Sequence, residues 1–356
     1  MVRLSRAQMQ EHNRAKVLAA ARAELTERGF RDTKIDQIAE RAELTRGAVY
    51  SNFPSKRALY LAVLAQEAEQ AADRRYPPTA RTASAALGDF ARAWMARLPL
   101  VAEDRHSASR LGRDLLPEIV SDERISQPFS QLTSLSAIVL GLCLEQLPAP
   151  KRPAHRMVQV AEIALTTLHG ASQLAAAAPG FGEPFAVVRA CEQLAELDLD
   201  DTWHPAHLPH ISPARPTDQP WTPPASTDAL RDEPAHLHHD GVLAVLGLHR
   251  LAAIEEALRA APPATAVTAV LVTSDPGELG PLARLTITDL RNCLRAAVAP
   301  SAWPRLQIIH DESGILAAAA AVSATSDATE TAVRIHAGRI IARADGYGAC
   351  HAAASA

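Results

Sequence analysis

Residues 33–59 read TKIDQIAERAELTRGAVYSNFPSKRAL, and the fold of the amino-terminal part of the chain turns on this stretch. Thr33 can cap a helix with Asp36 at its third position, and Ile35, Ile38 and Ala39 share its inward face. That helix ends near Arg41–Ala42, and Glu43–Leu44 turn the chain. Thr45 can cap the next helix, Arg46 to Asn52, which Phe53–Pro54 closes before Ser55 opens another through Leu59, Val63 and Leu64. A helix of seven residues is not stable alone. Val49 and Phe53 must tie it to its neighbours, which leaves Thr45, Arg46, Gly47, Tyr50 and Asn52 facing out. Upstream, Val17, Leu18, Ala21 and Leu25 mark one face of a helix over 14–28, with Gly29 as its C-terminal cap and Phe30 as a core anchor. Two short helices joined by a tight turn make a helix-turn-helix pattern. Hydroxyl, guanidinium and amide groups on the second helix suit base edges and phosphates, and Gly47 allows close backbone approach to a groove wall.

Charge is distributed to match. The 356-residue chain carries a net charge of −4, yet residues 1–60 hold 12 Lys/Arg against 7 Asp/Glu. A basic head on an acidic remainder points to a polyanion at one end only. Hydrophobic residues make up 47% and charged ones 21%, a globular composition with length for two or three domains. Cys143, Cys191, Cys293 and Cys350 are scattered, which argues against a disulfide framework or a structural zinc site. No run of about 18 apolar residues suggests a membrane span, and the polar start MVRLSRAQMQEHNR is unlike a secretory signal, so a cytoplasmic protein is expected.

The phrases Thr33–Ala39 and Leu44–Leu59 resemble the TetR/AcrR family of transcriptional regulators, over about residues 10–70. The resemblance implies a DNA-binding head at 10–70 and a helical ligand-binding and dimerisation body at 71–197. DNA contacts are then expected from Thr33, Lys34, Thr45, Arg46, Gly47, Tyr50, Ser51, Asn52 and Lys56, with Tyr50 and Lys56 at phosphate-touching positions. Arg3 and Arg6 are candidates for a flexible arm over the DNA. Glu43 departs from the family, which usually places Gly in the turn; at positive φ it would cost about 1 kcal/mol. The family further implies a homodimer on a palindromic double-stranded operator, repression, and release by a small-molecule effector.

Within the body, helical stretches are expected over about 82–98, 107–120, 125–147, 154–178 and 184–197, separated by prolines that include Pro117 and Pro128. By the same likeness, 156–178 and 185–197 form the dimer face, with Ala161, Ala164, Gly170 and Ala171 allowing close approach. Candidate pocket residues, chosen by type alone, are Trp94, Met95, His106, Phe129, Cys143, Met157 and His169.

Residues 198–238 carry Pro205, Pro209, Pro213, Pro216, Pro220, Pro223, Pro224 and Pro234, and read as an extended Pro/His-rich linker. His204, His207 and His210, with His236, His238 and His239 at its other end, have metal-binding chemistry but no evident orienting partners, so no metal and no cofactor are expected. Residues 239–356 then alternate β-branched runs with Ala-rich helices in the order βαβαβαββ, with a turn at Ser274–Gly277 and a hairpin across Ala337–Gly338. That order, with IIHDESGILAAAAAV and VRIHAGRIIARADGYGA, resembles a thioredoxin-like domain. Where that fold carries its reactive cysteine pair this chain has Gly247–Leu248–His249–Arg250, so a redox-inactive module is expected.

The expected fold class is therefore an all-α regulator, head plus helical body, followed by an α/β thioredoxin-like domain. The expected function is a non-enzymatic transcriptional regulator. The alternatives are an oxidant-sensing regulator working through Cys293 or Cys350, and a thiol oxidoreductase fused to a DNA-binding head.

Overall fold

A computed structural model of the chain describes residues 5–71, 78, 80–98, 108–148, 156–204 and 211–356. Helix α1 (Arg6–Asp32) starts earlier than its apolar stripe, because Ser5 and Gln8 form a reciprocal capping box. Gly29, at φ +79° and ψ 172°, breaks it near the end in a conformation open to glycine but not the left-handed helical one of a capping glycine, and the helix is closed at Thr33. Helices α2 (Ile35–Arg41), α3 (Arg46–Asn52) and α4 (Lys56–Gln70) follow, with Thr45 and Ser55 as the caps of the last two. Val17, Ala21, Ile38, Val49, Phe53, Leu59 and Val63 close the core of this head.

The body comprises α5 (Ala83–Met95), a 3₁₀ turn at Ala108–Asp114 leading into α6 (Leu115–Val120), α7 (Glu123–Glu145), α8 (Val158–Ala177) and α9 (Pro184–Leu194). Pro117 and Pro128 do not separate helices as expected: they lie inside α6 and α7. Pro128 is the sixth residue of its helix, so its ring removes one donor near the start and α7 continues. By length and composition α7 could cross a membrane, but 67% of its apolar window is buried within the protein, as in a core helix.

The carboxy-terminal part contributes β1 (Arg215–Pro220), β2 (Thr227–Asp228), β3 (Glu233–Pro234), β4 (Gly241–Gly247), α10 (Ile254–Ala260), β5 (Ala266–Val272), α11 (Pro276–Ala297), β6 (Leu306–His310), α12 (Ile315–Ala319), β7 (Glu330–His336), β8 (Arg339–Asp345) and α13 (Ala349–Ala354). From β4 to β8 the element order is the one expected. The mixed six-stranded sheet runs β1-β8-β7-β4-β5-β6; β4, β5 and β6 are parallel and the β7–β8 hairpin is antiparallel. Central β4 is buried at every residue, as a strand covered on both faces must be.

Two expectations need correction. The stretch read as a linker enters the sheet: β1 pairs antiparallel with β8, and Trp221 is buried with its indole N–H donating to Leu237 O at 2.7 Å. Its prolines are admitted because β1 is an edge strand, where donors on one side need no partner. Ser274–Gly277, read as a turn, instead opens α11: Asp275 caps it and Pro276 takes the first helical position, where proline loses nothing.

The three parts are not beads on a string. One apolar cluster runs from body residues Phe90, Leu135 and Leu165 into Leu246, Leu271 and Leu290 of the sheet and α11, while Leu285 of α11 enters the head core. Polar ties follow the same path. Arg57 joins Asp122 and Glu278, Asn292 Nδ2 donates to Ala68 O at 2.8 Å, Arg97 pairs with Asp289, and Arg259 is bidentate to Glu145.

Candidate nucleic-acid interface

The head presents α3 as the sequence requires. Val49 and Phe53 are 0% and 2% exposed, and the opposite face leaves Thr45, Arg46, Gly47, Tyr50 and Ser51 exposed. Thr45 Oγ1 accepts from Ala48 N–H at 3.2 Å, satisfying one free donor of the first turn. The Arg46 guanidinium lies 5.6 Å from the Tyr50 ring centroid and 3.6 Å from Asp36 Oδ1, which orients it along the α2–α3 surface. Hydrogen bonding to Tyr50 and the charge of Asp36 both raise its pKa, so it stays a cation.

Other candidates stand differently. Thr33 is buried at 1%, its hydroxyl donating to Gly29 O at 2.7 Å, so this side chain braces the α1 bend and the cap of α2 falls to Lys34. Lys34 is exposed, with its backbone N–H held by Gln37 Oε1. Ser51 Oγ and Asn52 Nδ2 both donate back to Ala48 O, tying them to their own helix. Lys56 sits over the Phe30 ring at 4.5 Å and donates to Arg31 O at 3.2 Å; partial burial pulls its pKa down. Arg6 opens α1 rather than extending as an arm, and Arg3 lies outside the described residues.

Glu43 has φ +56°, so the turn does use the left-handed conformation for which glycine is suited. Arg14 has no local sequence feature that marks it as a site residue. It stacks over Phe53 at 4.5 Å and donates to Asn52 O at 3.3 Å, placing a cation at the C-terminal end of α3. Its position on the first helical face, one turn before Val17, was the only signal.

A family model described as bacterial regulatory proteins, tetR family, matches residues 17–63. The head is a TetR-type domain. No curated protein matches the chain. Among solved structures, similar chains include a TetR transcriptional regulator from Rhodococcus sp. RHA1 at 18% identity, covering 55% of this chain and 99% of that one with a TM-score of 0.34. NalD, the secondary repressor of the MexAB-OprM multidrug efflux pump in Pseudomonas aeruginosa, is 21% identical over 52% of this chain and 95% of its own, with a TM-score of 0.34. RolR in complex with resorcinol is 20% identical over 55% and 98%, with a TM-score of 0.31.

Behind the TetR-type head, three pocket candidates converge. His169 meets Trp94 edge-on at 4.9 Å and Phe129 at 5.7 Å, and Trp94 Nε1 donates to Ser172 Oγ at 2.9 Å. Burial, helped by Arg97, pushes His169 down to about 4, so it is neutral and can accept as well as donate. Met95, Cys143 and Met157 are core residues at 6%, 0% and 3% exposure, and His106 lies outside the described residues.

All four cysteines are free and buried. Burial raises every thiol pKa, to about 11 at Cys191 and Cys293 and well above normal at Cys143 and Cys350. Cys293 and Cys350 are therefore neither accessible nor thiolate, the reverse of what an oxidant sensor needs. His236 and His239 stack at 5.3 Å, while His207 and His210 lie outside the described residues. On α8, Ala161 and Ala164 are fully buried within the chain rather than offered to a partner. The outward surface is instead Ile163, Leu174, Phe181 and Phe185, the two phenylalanines 68% and 69% exposed.

Proposed function

We propose that the protein is a DNA-binding transcriptional regulator of the TetR type, a repressor that sits as a homodimer on a palindromic operator and leaves it when a small molecule binds. The observation that carries this is the exposed row Thr45, Arg46, Gly47 and Tyr50 on a helix anchored by Val49 and Phe53, inside the matched residues 17–63. Arg46 is then the base-reading group, Tyr50 and Lys34 grip phosphates, and Arg14 steadies the end of α3. Two-fold pairing through α8 and α9 would cover Phe181 and Phe185 and set two α3 helices one operator turn apart. An effector lodged at Trp94, Phe129 and His169 would change the spacing of the heads, a shift between two dimer geometries. The strand order β5-β4-β7-β8 followed by α13 supports a thioredoxin-like reading of the carboxy-terminal domain, used as a binding module without thiol chemistry.

The test is a gel shift on DNA from upstream of the protein's own gene, across a salt series. A discrete complex that resists competitor DNA and weakens steeply with salt is expected, and Arg46→Ala with Tyr50→Ala should abolish it while leaving the fold intact. Specific binding that survives the double variant would refute the assigned recognition helix.

A further inference from the structure

The amino terminus of α4 already holds an anion, and that anion comes from the carboxy-terminal domain. Glu278 Oε1 accepts from the Ser55 hydroxyl at 3.1 Å and from Arg57 Nε at 2.8 Å. A helix cap and a guanidinium in the first turn of a 15-residue helix are the donors that a helix amino terminus offers to a phosphate oxygen. Lys56, in the same turn, is also engaged, donating to Arg31 O at 3.2 Å. Glu278 reaches its partners because α11 lays its first turn on the corner between α3 and α4. A Cβ on Gly277 would stand 3.1 Å from Pro54 Cγ, so a side chain at this position would push the two elements apart. The same point is 3.7 Å from Asp275 Oδ1, which brings a second, solvent-exposed carboxylate to the corner.

This contact is firm at one end and open at the other. Farther along α11, Leu285 enters the head core and Asn292 Nδ2 donates to Ala68 O at 2.8 Å. Beside the corner, head and α11 part around a cleft of about 590 Å³, with Arg14 and Asn52 on the head side and Pro281, Arg284 and Glu312 across it. The carboxy-terminal side is acid-rich there: Asp275, Glu278 and Glu312 stand against Arg284, which Glu312 already pairs. A phosphate gripped at Tyr50, one turn before Pro54, would meet that like charge within the ~10 Å screening length of ordinary buffers.

We infer that the first turn of α11 is an autoinhibitory contact: Glu278 takes the place of a DNA phosphate at the start of α4, Asp275 adds repulsion beside it, and DNA competes with α11 for the corner. This rests on the proposed DNA-binding function and names an internal restraint on it.

Fluorescence anisotropy of the full-length protein with a labelled mixed-sequence duplex, first in low salt and then across a salt series, tests the contact. Glu278→Gln and Asp275→Asn should each tighten binding roughly twofold to fivefold in low salt, and the gain should shrink as salt rises. Asp275→Asn keeps a good helix cap, so it decides the matter should Glu278→Gln disturb the junction. Gly277→Leu, which drives a side chain against Pro54 without changing charge, should tighten binding as well. By reciprocity, DNA should speed amide hydrogen exchange over residues 277–279 of the parent protein. Asp218→Asn, on edge strand β1 at the opposite side of the sheet from β6, removes the same charge and should change nothing. Binding by the parent that these variants leave equal or weaken, or a gain matched by Asp218→Asn, would overturn the inference and leave DNA binding intact. Binding by the variants alone would uphold both readings, whereas no binding by parent or variants even in low salt would remove both.

Discussion

Arg57, at the start of α4, donates from Nε to Glu278 Oε1 of α11 at 2.8 Å, so the DNA-binding head and the carboxy-terminal domain are joined through residues 221 positions apart. The same guanidinium holds Asp122 of the body at 2.8 Å, and Ser55, the cap of α4, donates to the same Glu278 oxygen at 3.1 Å. The side chains of Arg57 and Glu278 are 18% and 17% exposed, which shields the pair from much of the screening that makes surface bridges negligible. Three bodies thus share one cation at the base of the helix that orients α3. Removing the carboxylate in Glu278→Gln should destabilise by about 1–2 kcal/mol, since Arg57 keeps Asp122 as partner. Urea denaturation reads this directly, and an unchanged midpoint would show that the junction is held without this ion pair, by Leu285 and the Asn292–Ala68 hydrogen bond.

The turn between α2 and α3 holds a second device. Glu43 sits at φ +56° with an exposed side chain, so it carries the left-handed strain and gains no packing in return. Glu43→Gly should raise stability by roughly 0.5–1 kcal/mol, seen as a higher thermal midpoint. A lower midpoint would mean that the loss of side-chain restriction in the unfolded chain outweighs the strain.

The junction and the turn differ in how far the sequence reveals them. Limits of α3 were legible because Thr45, Phe53 and Ser55 act within three residues of themselves, and Glu43 stood out for the same reason. The strands of the α/β part were legible as β-branched runs. Arg57–Glu278 was not, because nothing local distinguishes either residue from an ordinary surface charge. Strand β1 was missed because proline chemistry is local whereas edge position, which admits Pro216 and Pro220, belongs to the whole sheet. Thr33 was misplaced by one helical position, since its hydroxyl found Gly29 O instead of the next turn.

Two histidines set a pH dependence. Burial, with the positive charges nearby, pushes His169 and His310 from an ordinary 6.5 down to about 4. Above 6.5 both folded and unfolded states are neutral and the groups contribute no slope. As pH falls toward 4 the unfolded chain binds protons that the folded one refuses, so stability is lost across that window and levels off below it. Carboxyls raised by burial, Glu162, Glu256 and Asp289, act in the opposite sense, so the measurement is a difference. Urea midpoints taken from pH 7 to 4 should fall less steeply for the His169→Phe, His310→Gln double variant than for the parent. Parallel curves would show that both rings take up protons freely in the fold.

The thiols give a sharp chemical expectation. Cys143, Cys191, Cys293 and Cys350 are buried, and the cost of a buried thiolate raises each pKa. A thiol reagent such as dithionitrobenzoate should therefore titrate none of them in native buffer and all four after denaturation. Fast native labelling at Cys293 or Cys350, lost in the corresponding serine variant, would restore the oxidant-sensing reading.

The exposed apolar residues Ile163, Leu174 and Phe185 fall within the stretches 156–178 and 185–197 expected to form a dimer face. Of the four small residues expected at a dimer face, Ala161 and Ala164 pack inward and Ala171 is half-buried, while Gly170 is exposed together with Ile163, Leu174, Phe181 and Phe185. Ile163 and Leu174 are on α8, Phe181 is in the connection that follows it and Phe185 is in the first turn of α9, and exposed large apolar side chains of this kind mark interaction surfaces. Phe185 makes so little contact within the chain, at 69% exposure, that Phe185→Glu should leave folding unchanged within about 0.5 kcal/mol. In a symmetric dimer the substitution acts twice, placing two carboxylates in one apolar contact. Sedimentation equilibrium should then give a dimer for the parent chain and a monomer for the variant, and the variant should also lose the operator complex. A variant that stays dimeric and keeps its operator would move the two-fold interface away from α8 and α9 altogether.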